Sequence, residues 1–315
     1  MSADKLYLRP LTISDIIDAS IWIYRRNFAP ILGIAAVVQI PIMVVGIAVQ
    51  VSIMPILMAS DQSGSEVSLE QMSGAIGPMV LLFLMGLLYP LGQAALAIGI
   101  SERYLGRPIS VRDAYEAALP RWGQVLWTTI LYWLICYGVF IGGLFLAGFA
   151  LMVWLAVRYM LGPAVINVLE NRSGRDALAR SWSLTAENFW RIFGALSILM
   201  LLAAVVTYGV SLPVQIVAGV LGEQNPQLAL PAVVLSQVVS SLVSLLLQPL
   251  WMIGVVLVYY DLRIRKEGFD LMIMAESLGR PAPADWIGLQ QQQPPADLPG
   301  PLFDTEKKKP GDWER

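Results

Sequence analysis

The sequence has no histidine, a single cysteine and few charges. Without histidine there is no imidazole base near neutral pH and no imidazole metal ligand. With Cys136 alone, no disulfide closes within the chain and no His/Cys metal site can be assembled. Charged residues make up 14% of 315 positions, against roughly 25% in a soluble domain. Apolar types reach 57%. This composition excludes a soluble enzyme, a secreted disulfide scaffold and a chain disordered throughout. It gives no catalytic residue, no metal ligand and no cofactor to expect.

What the chain has instead is long apolar runs. About 20 apolar residues cross the roughly 30 Å hydrocarbon core of a bilayer. The runs Ala29 to Leu57, Gly77 to Ile100, Ile192 to Leu221 and Leu228 to Val258 all reach that length. Val125 to Val157 carries no charge, and after Arg158 the apolar character continues to Leu169. That block suits two spans, 125–142 and 144–169, with a turn near Gly142-Gly143. The first run starts late and exceeds a signal h-region, so no cleavable signal peptide is expected. The expected fold is all-α: a polytopic membrane domain over residues 1–278 with six transmembrane helices in three hairpins.

Charge separates the connecting segments into two sets. The first 28 residues, 101–123, 158–191 and the tail from Tyr259 hold all 21 Lys and Arg. Segments 58–76 and 222–227 and the turn near Gly142 hold none, only Asp61, Glu66, Glu70 and Glu223. Cationic segments stay on the cytoplasmic side. The expectation is a cell (inner) membrane protein with both termini cytoplasmic.

Three of the cationic segments share a pattern: Thr12-x-x-Asp15, Ser110-x-x-Asp113 and Ser173-x-x-Asp176. Each resembles a capping box, with a hydroxyl to accept an N–H and an acid near the positive helix end. After each cap, the positions one, four, five, eight, nine and twelve residues on are mostly apolar or small. They are Ile13, Ile16, Ile17, Ser20, Ile21 and Tyr24 in the first copy. Tyr115 and Trp182 occupy matching stripe positions in the second and third. The opposite faces carry Asp18, Arg25 and Arg26, then Arg112, Glu116 and Arg121, then Arg175, Arg180 and Glu187. Glu102-x-x-x-Gly106-Arg107 and Glu170-x-x-x-Gly174-Arg175 close two units alike. The reading is an internal repeat, each unit a cytoplasmic amphipathic helix followed by a hairpin. A generic juxtamembrane stripe is the plainer alternative.

Glu267 to Leu278 is a further short amphipathic candidate. Residues 279–315 hold six prolines before Phe303, four consecutive glutamines and Lys307-Lys308-Lys309. Such a segment cannot bury a core and is expected to be a disordered cytoplasmic tail.

Several stretches resemble a known family. They are Leu8-Arg9-Pro10-Leu11 with Asp15-Ile16-Ile17-Asp18 and Tyr24-Arg25-Arg26-Asn27-Phe28, then Ala177 to Trp182 running into Asn188 to Phe193. The most specific is Tyr259-Tyr260-Asp261-Leu262-Arg263-Ile264-Arg265-Lys266-Glu267-Gly268-Phe269-Asp270-Leu271. Together they resemble the glycerophosphoryl diester phosphodiesterase membrane-domain family, over roughly residues 6–278. In the proteins that give the family its name, a separate phosphodiesterase domain, similar to a TIM barrel, uses histidines and acidic metal ligands. This chain has no histidine and no extramembrane stretch long enough for a barrel. The resemblance therefore implies the membrane region alone.

Polar groups inside spans are functional candidates by default. Arg158 is the one charge well inside a span, about three turns before Leu169. It is either an anchor for a lipid phosphate or another anion, or a structural pair with Glu102, Glu170 or Asp261. Gln39, Gln93, Asn167, Gln215, Gln237 and Gln248 are neutral and suit bonding between helices. Pro41, Pro90, Pro213 and Pro249 interrupt four spans. Trp127, Trp190, Trp251, Tyr259 and Tyr260 suit an interfacial belt. The juxtamembrane motif comprises Asp15, Asp113, Asp176, Glu102, Glu170, Asp261 and Arg263. The expected role is a non-enzymatic scaffold or accessory subunit. The alternative is a transporter or lipid-handling protein with a polar site around Arg158. Membrane lipids are the expected partners, with a protein partner through the cytoplasmic helices or tail as a further possibility. No nucleic acid is expected, and the sequence leaves the oligomeric state open.

Overall fold

A backbone crossing hydrocarbon has to satisfy its own N–H and C=O groups, so long apolar runs fold as helices. The computed structural model describes residues 9–63, 69–142, 145–269 and 271. Among them it is helical, with no strand. The helices are α1 Ile13–Arg26, α2 Phe28–Ser63, α3 Leu69–Gly86, α4 Tyr89–Tyr104, α5 Val111–Ala118 and α6 Trp122–Gly142. They continue as α7 Phe145–Tyr159, α8 Asn167–Leu169, α9 Gly174–Thr185, α10 Phe189–Gln224 and α11 Pro226–Glu267. Six stretches are long and apolar enough to cross a membrane: Phe28–Ile53, Ile76–Tyr104, Val111–Gly142, Gly148–Leu169, Phe189–Gln224 and Gln227–Glu267. Gly143 of the expected turn, residues 272–278 and the expected tail lie outside the described residues.

The last helix runs further than its apolar stretch. α11 has 42 residues, or about 63 Å at 1.5 Å per residue, twice the hydrocarbon thickness. The sequence suggests a span ending at Val258. The helix persists because Asp261 pairs with Arg265 and Arg263 with Glu267, one turn apart on its surface. It stops at Gly268, whose φ of 62° is the left-handed conformation that glycine tolerates. Contacts along the chain divide at the same point, into residues 1–268 and 269–315.

α4 sits in the middle of the packing. Leu91, Ala94, Ala95, Leu96, Ala97 and Ile100 are all buried. Its small residues let neighbours approach closely. Gly99 lies against Ile34 of α2, and a β-carbon there would come 2.5 Å from Ile34 Cδ1. Gly254 of α11 stands in the same relation to Leu199 of α10. By contrast Met200, Leu201, Val205 and Ile216 of α10 are exposed, as lipid-facing side chains would be.

α1 packs on α10 and α11, α5 on α2 and α4, and α9 on α6 and α7. The fourth and eighth positions after each cap are buried in all three: Ile16 and Ser20, Ala114 and Ala118, Ala177 and Ser181. The rest of the stripe differs. In α1 the buried set also takes Ala19 and Ile23, which rotates it by one position from Ile17 and Ile21. In the second copy Leu119 is exposed, because Pro120 tightens the chain into a 3₁₀ turn at Leu119–Arg121.

Candidate functional site

The densest polar structure lies at the end of the bundle that carries the charged segments. Asp261 of α11 is buried and accepts from three sides. Leu11 N–H donates to it at 2.7 Å, Arg191 Nη1 lies 2.7 Å away, and Arg265 Nε lies 3.1 Å away. Arg191 and Arg265 also donate to the Leu11 carbonyl, the latter at 2.9 Å. Both backbone groups of Leu11 are therefore held by the α10–α11 pair just before α1 begins. The sequence singles out Leu11 and Asp261 in separate motifs and gives no sign that they meet.

A second cluster lies on another face of the same helix end. Arg180 of α9 donates to Glu170 at 2.8 and 3.1 Å and pairs with Glu267. Tyr259 donates to Glu170 at 3.1 Å, and Arg263 bridges Tyr259 at 3.2 Å and Glu267 at 3.0 Å. Arg172 adds a 3.5 Å contact to Glu170. Burial alone would lower the Arg180 pKa, but the hydrogen bond and charge of Glu170, then Glu267, raise it. Sequence reasoning places Arg180 on a solvated outer face. The structure corrects this: its side chain is only 12% exposed, because two acids from other segments fold over it.

The equivalent acid in the preceding unit, Glu102, has only a long 3.9 Å contact to Arg107. Tyr259 and Tyr260 are not part of an exposed aromatic belt either. Both are buried, and Tyr260 stacks on Tyr104 and shares a 2.5 Å hydrogen bond with Ser101. Trp127, Trp190 and Trp251 are exposed as expected.

Two of the three capping boxes form. Thr12 and Asp15 bond reciprocally, as do Ser110 and Asp113. The Thr12 N–H, then its hydroxyl, hold the Asp15 carboxyl below its ordinary value. The third box does not form, since Ser173 makes no side-chain cap. Gly174 takes a φ of 56°, and its N–H donates instead to Thr128 Oγ1 of α6 at 2.7 Å. Asp176 is exposed. The same local pattern is overridden by a tertiary partner.

The polar residues that the sequence puts inside spans fall into separate places. Gln39, Gln93 and Gln248 line one narrow void with Tyr89, and Gln248 donates to the Tyr89 hydroxyl at 3.2 Å. Asn167 serves the backbone. Pro163 lacks an N–H and opens a π-helical turn at Gly162–Ile166, and Asn167 Nδ2 bonds the Gly162 and Pro163 carbonyls at 2.8 and 3.2 Å. Gln215 is exposed on α10, and Gln237 bonds Ser241 within α11. Arg158 does not line the glutamine void. Its carbonyl accepts from Ser181 and Thr185 at 2.8 and 3.1 Å, and its guanidinium carbon lies 4.1 Å from the Trp182 ring centre. The anticipated pairing with Glu102, Glu170 or Asp261 is absent, because those acids are held by other arginines. Among the described residues no three acidic or sulfur groups converge as a metal ion would need.

Six apolar helices and one ionic end define an all-helical, multi-pass membrane protein. Residues 137–273 match the family model for the membrane domain of glycerophosphoryl diester phosphodiesterase. The match takes in Glu170, Arg180, Arg191 and Asp261, and so most of both ionic clusters. It includes two of the three stretches that carry the resemblance; the Leu8 to Phe28 stretch precedes it. No curated protein and no solved structure matches the chain.

Proposed function

We propose that the chain is a non-enzymatic scaffold or accessory subunit of the cytoplasmic membrane, with both termini on the cytoplasmic side. The observation that carries this reading is the engagement of its carboxylates. Glu170, Asp261 and Glu267 are each tied to an arginine of another helix, Arg180 of α9 or Arg191 of α10. A carboxylate held in this way fixes helices in place and is poorly suited to accept a substrate proton. The confinement of Lys and Arg to one set of segments supports the orientation. Three units, each an interfacial helix followed by a hairpin, account for the pairing of α2 with α3, α6 with α7 and α10 with α11. The exposed outer faces of α1 and α5 are the surfaces offered to a protein partner.

Two measurements test the proposal. Purified protein given glycerophosphodiesters and a range of divalent metals is expected to release no product. Turnover abolished by a point mutation in this chain overturns the non-enzymatic reading. Purification from native membranes is expected to bring down a defined protein in fixed ratio. Its loss on charge reversal at Asp18 and Glu116 would place the contact on the outer faces.

A further inference from the structure

Arg158 is 8% exposed, and its Nε has no hydrogen-bond partner. No ion pair joins it to a described carboxylate. Glu102 faces Arg107, Glu170 faces Arg172 and Arg180, and Asp261 faces Arg191 and Arg265. Arginine keeps its charge in a protein, and a buried charge without a counter-charge is strongly unfavourable. The surroundings compensate only in part. The guanidinium carbon lies 4.1 Å from the Trp182 ring centre and 5.6 Å from that of Trp154. The two indoles meet edge-on at 5.2 Å. An indole face attracts a cation but accepts none of its in-plane N–H groups. The result is a flat cation held against rings, with its buried Nε donor lacking an acceptor.

The level of this group in the fold says where the acceptor comes from. α9 runs antiparallel to the end of α7: Gly162 meets Ala177 and Leu178, and the Arg158 carbonyl meets Ser181 and Thr185. The C-terminal end of α9 and the residue after it offer the Ser183 and Ala186 carbonyls to Lys266 Nζ, each at 2.9 Å and exposed. An exposed ammonium needs water, so this level is the membrane interface and not the hydrocarbon. Trp154, Tyr159 and Trp182 are the ring types that favour that depth. The anions concentrated there are lipid phosphates, and a guanidinium fork matches two phosphate oxygens at once.

We infer that Arg158, stacked on Trp182 and Trp154, binds the phosphate of an anionic lipid headgroup. The site is independent of the scaffold reading and survives its failure.

The test uses the full-length protein in mild detergent, with lipid retention read by native mass spectrometry. The probes are phosphatidylglycerol, phosphatidylcholine and inorganic phosphate. Wild type is expected to retain phosphatidylglycerol in preference to phosphatidylcholine, and millimolar inorganic phosphate is expected not to displace it. Arg158→Gln removes a charge-assisted pair and is expected to weaken retention about tenfold or more. Arg158→Lys keeps the charge but loses the fork and the stack, and Trp182→Phe weakens the stack; both are expected to lose several-fold. Undiminished retention by Arg158→Gln overturns the proposal, as does equal retention of both lipids by wild type. Displacement by inorganic phosphate overturns the lipid assignment in favour of a soluble phosphate. If Arg158→Gln fails to fold, unchanged retention in both milder variants overturns it equally.

Discussion

Asp261 accepts the backbone N–H of Leu11 at 2.7 Å, across 250 positions of sequence. Arg191 and Arg265 complete the contact by bonding both the acid and the Leu11 carbonyl. This clasp fixes where α1 enters and which faces of α10 and α11 it covers. The charges are neutralised locally, and both peptide groups of Leu11, just before α1, are tied down.

Removing Asp261 breaks all of this at once. Asp261→Ala is expected to cost about 2–4 kcal/mol, less than the full figure for a buried pair because Arg191 and Arg265 are partly exposed. Asp261→Asn keeps an acceptor for Leu11 and should cost less. Adding Arg191→Gln to Asp261→Asn should recover part of the loss, since it removes a charge left without its partner. Melting temperatures in one detergent give the rank order. An Ala variant as stable as wild type would show that the clasp contributes nothing.

The six spans were legible because hydropathy acts on a local window of about 20 residues. The clusters were not, because their members lie far apart. Glu170, Arg180, Tyr259 and Glu267 are ordinary letters until two helix ends cross. Arg180 shows the limit clearly. Helical spacing correctly puts it outside the Ala177 and Ser181 stripe, yet that face meets Glu170 and Glu267. Arg158 was legible as an oddity, but its partner was not, since aromatic rings carry no charge signal. The Ser173 motif misled because a capping pattern cannot report that Thr128 stands opposite.

The three outer-face residues should accordingly behave unalike. Asp18→Lys and Glu116→Lys sit on exposed positions and are expected to shift stability by less than about 0.5 kcal/mol. Arg180→Glu sets three acids against one another in a largely buried place and is expected to cost about 3 kcal/mol or more. Thermal melting of the three variants decides it. Equal behaviour would mean that the Arg180 cluster does not form.

The caps give a finer test. Thr12→Ala and Ser110→Ala are each expected to cost about 1 kcal/mol, the usual loss for a helix N-cap. Ser173→Ala should cost almost nothing. Thr128→Val should cost more than Ser173→Ala, because it leaves the buried Gly174 N–H without an acceptor. The Asp15 carboxyl adds a pH signature. Its folded pKa lies below the ordinary 3.8, so its contribution is complete above about pH 4. It is lost as pH falls through the lowered value. The cost of Thr12→Ala should shrink below that pH and stay constant from pH 5 to 8. A cost that grows on acidification would contradict the box.

The proposed orientation rests on charge, and labelling checks it directly. Asn225 lies exposed between α10 and α11, at the end without Lys or Arg, and Ser110 lies exposed at the cap of α5. Translocating cationic segments is unfavourable, so Ser110 should face the cytoplasm and Asn225 the opposite side. The native Cys136 is fully buried and gives little background. With an impermeant maleimide on right-side-out vesicles, Asn225→Cys should label at once. Ser110→Cys should label only after the membrane is opened. Reversed labelling would overturn the orientation and move the Asp261 clasp, the Arg180 cluster and the Arg158 site to the opposite leaflet. Labelling of both in sealed vesicles would mean that one of the three spans between them, those of α6, α7 and α10, does not cross.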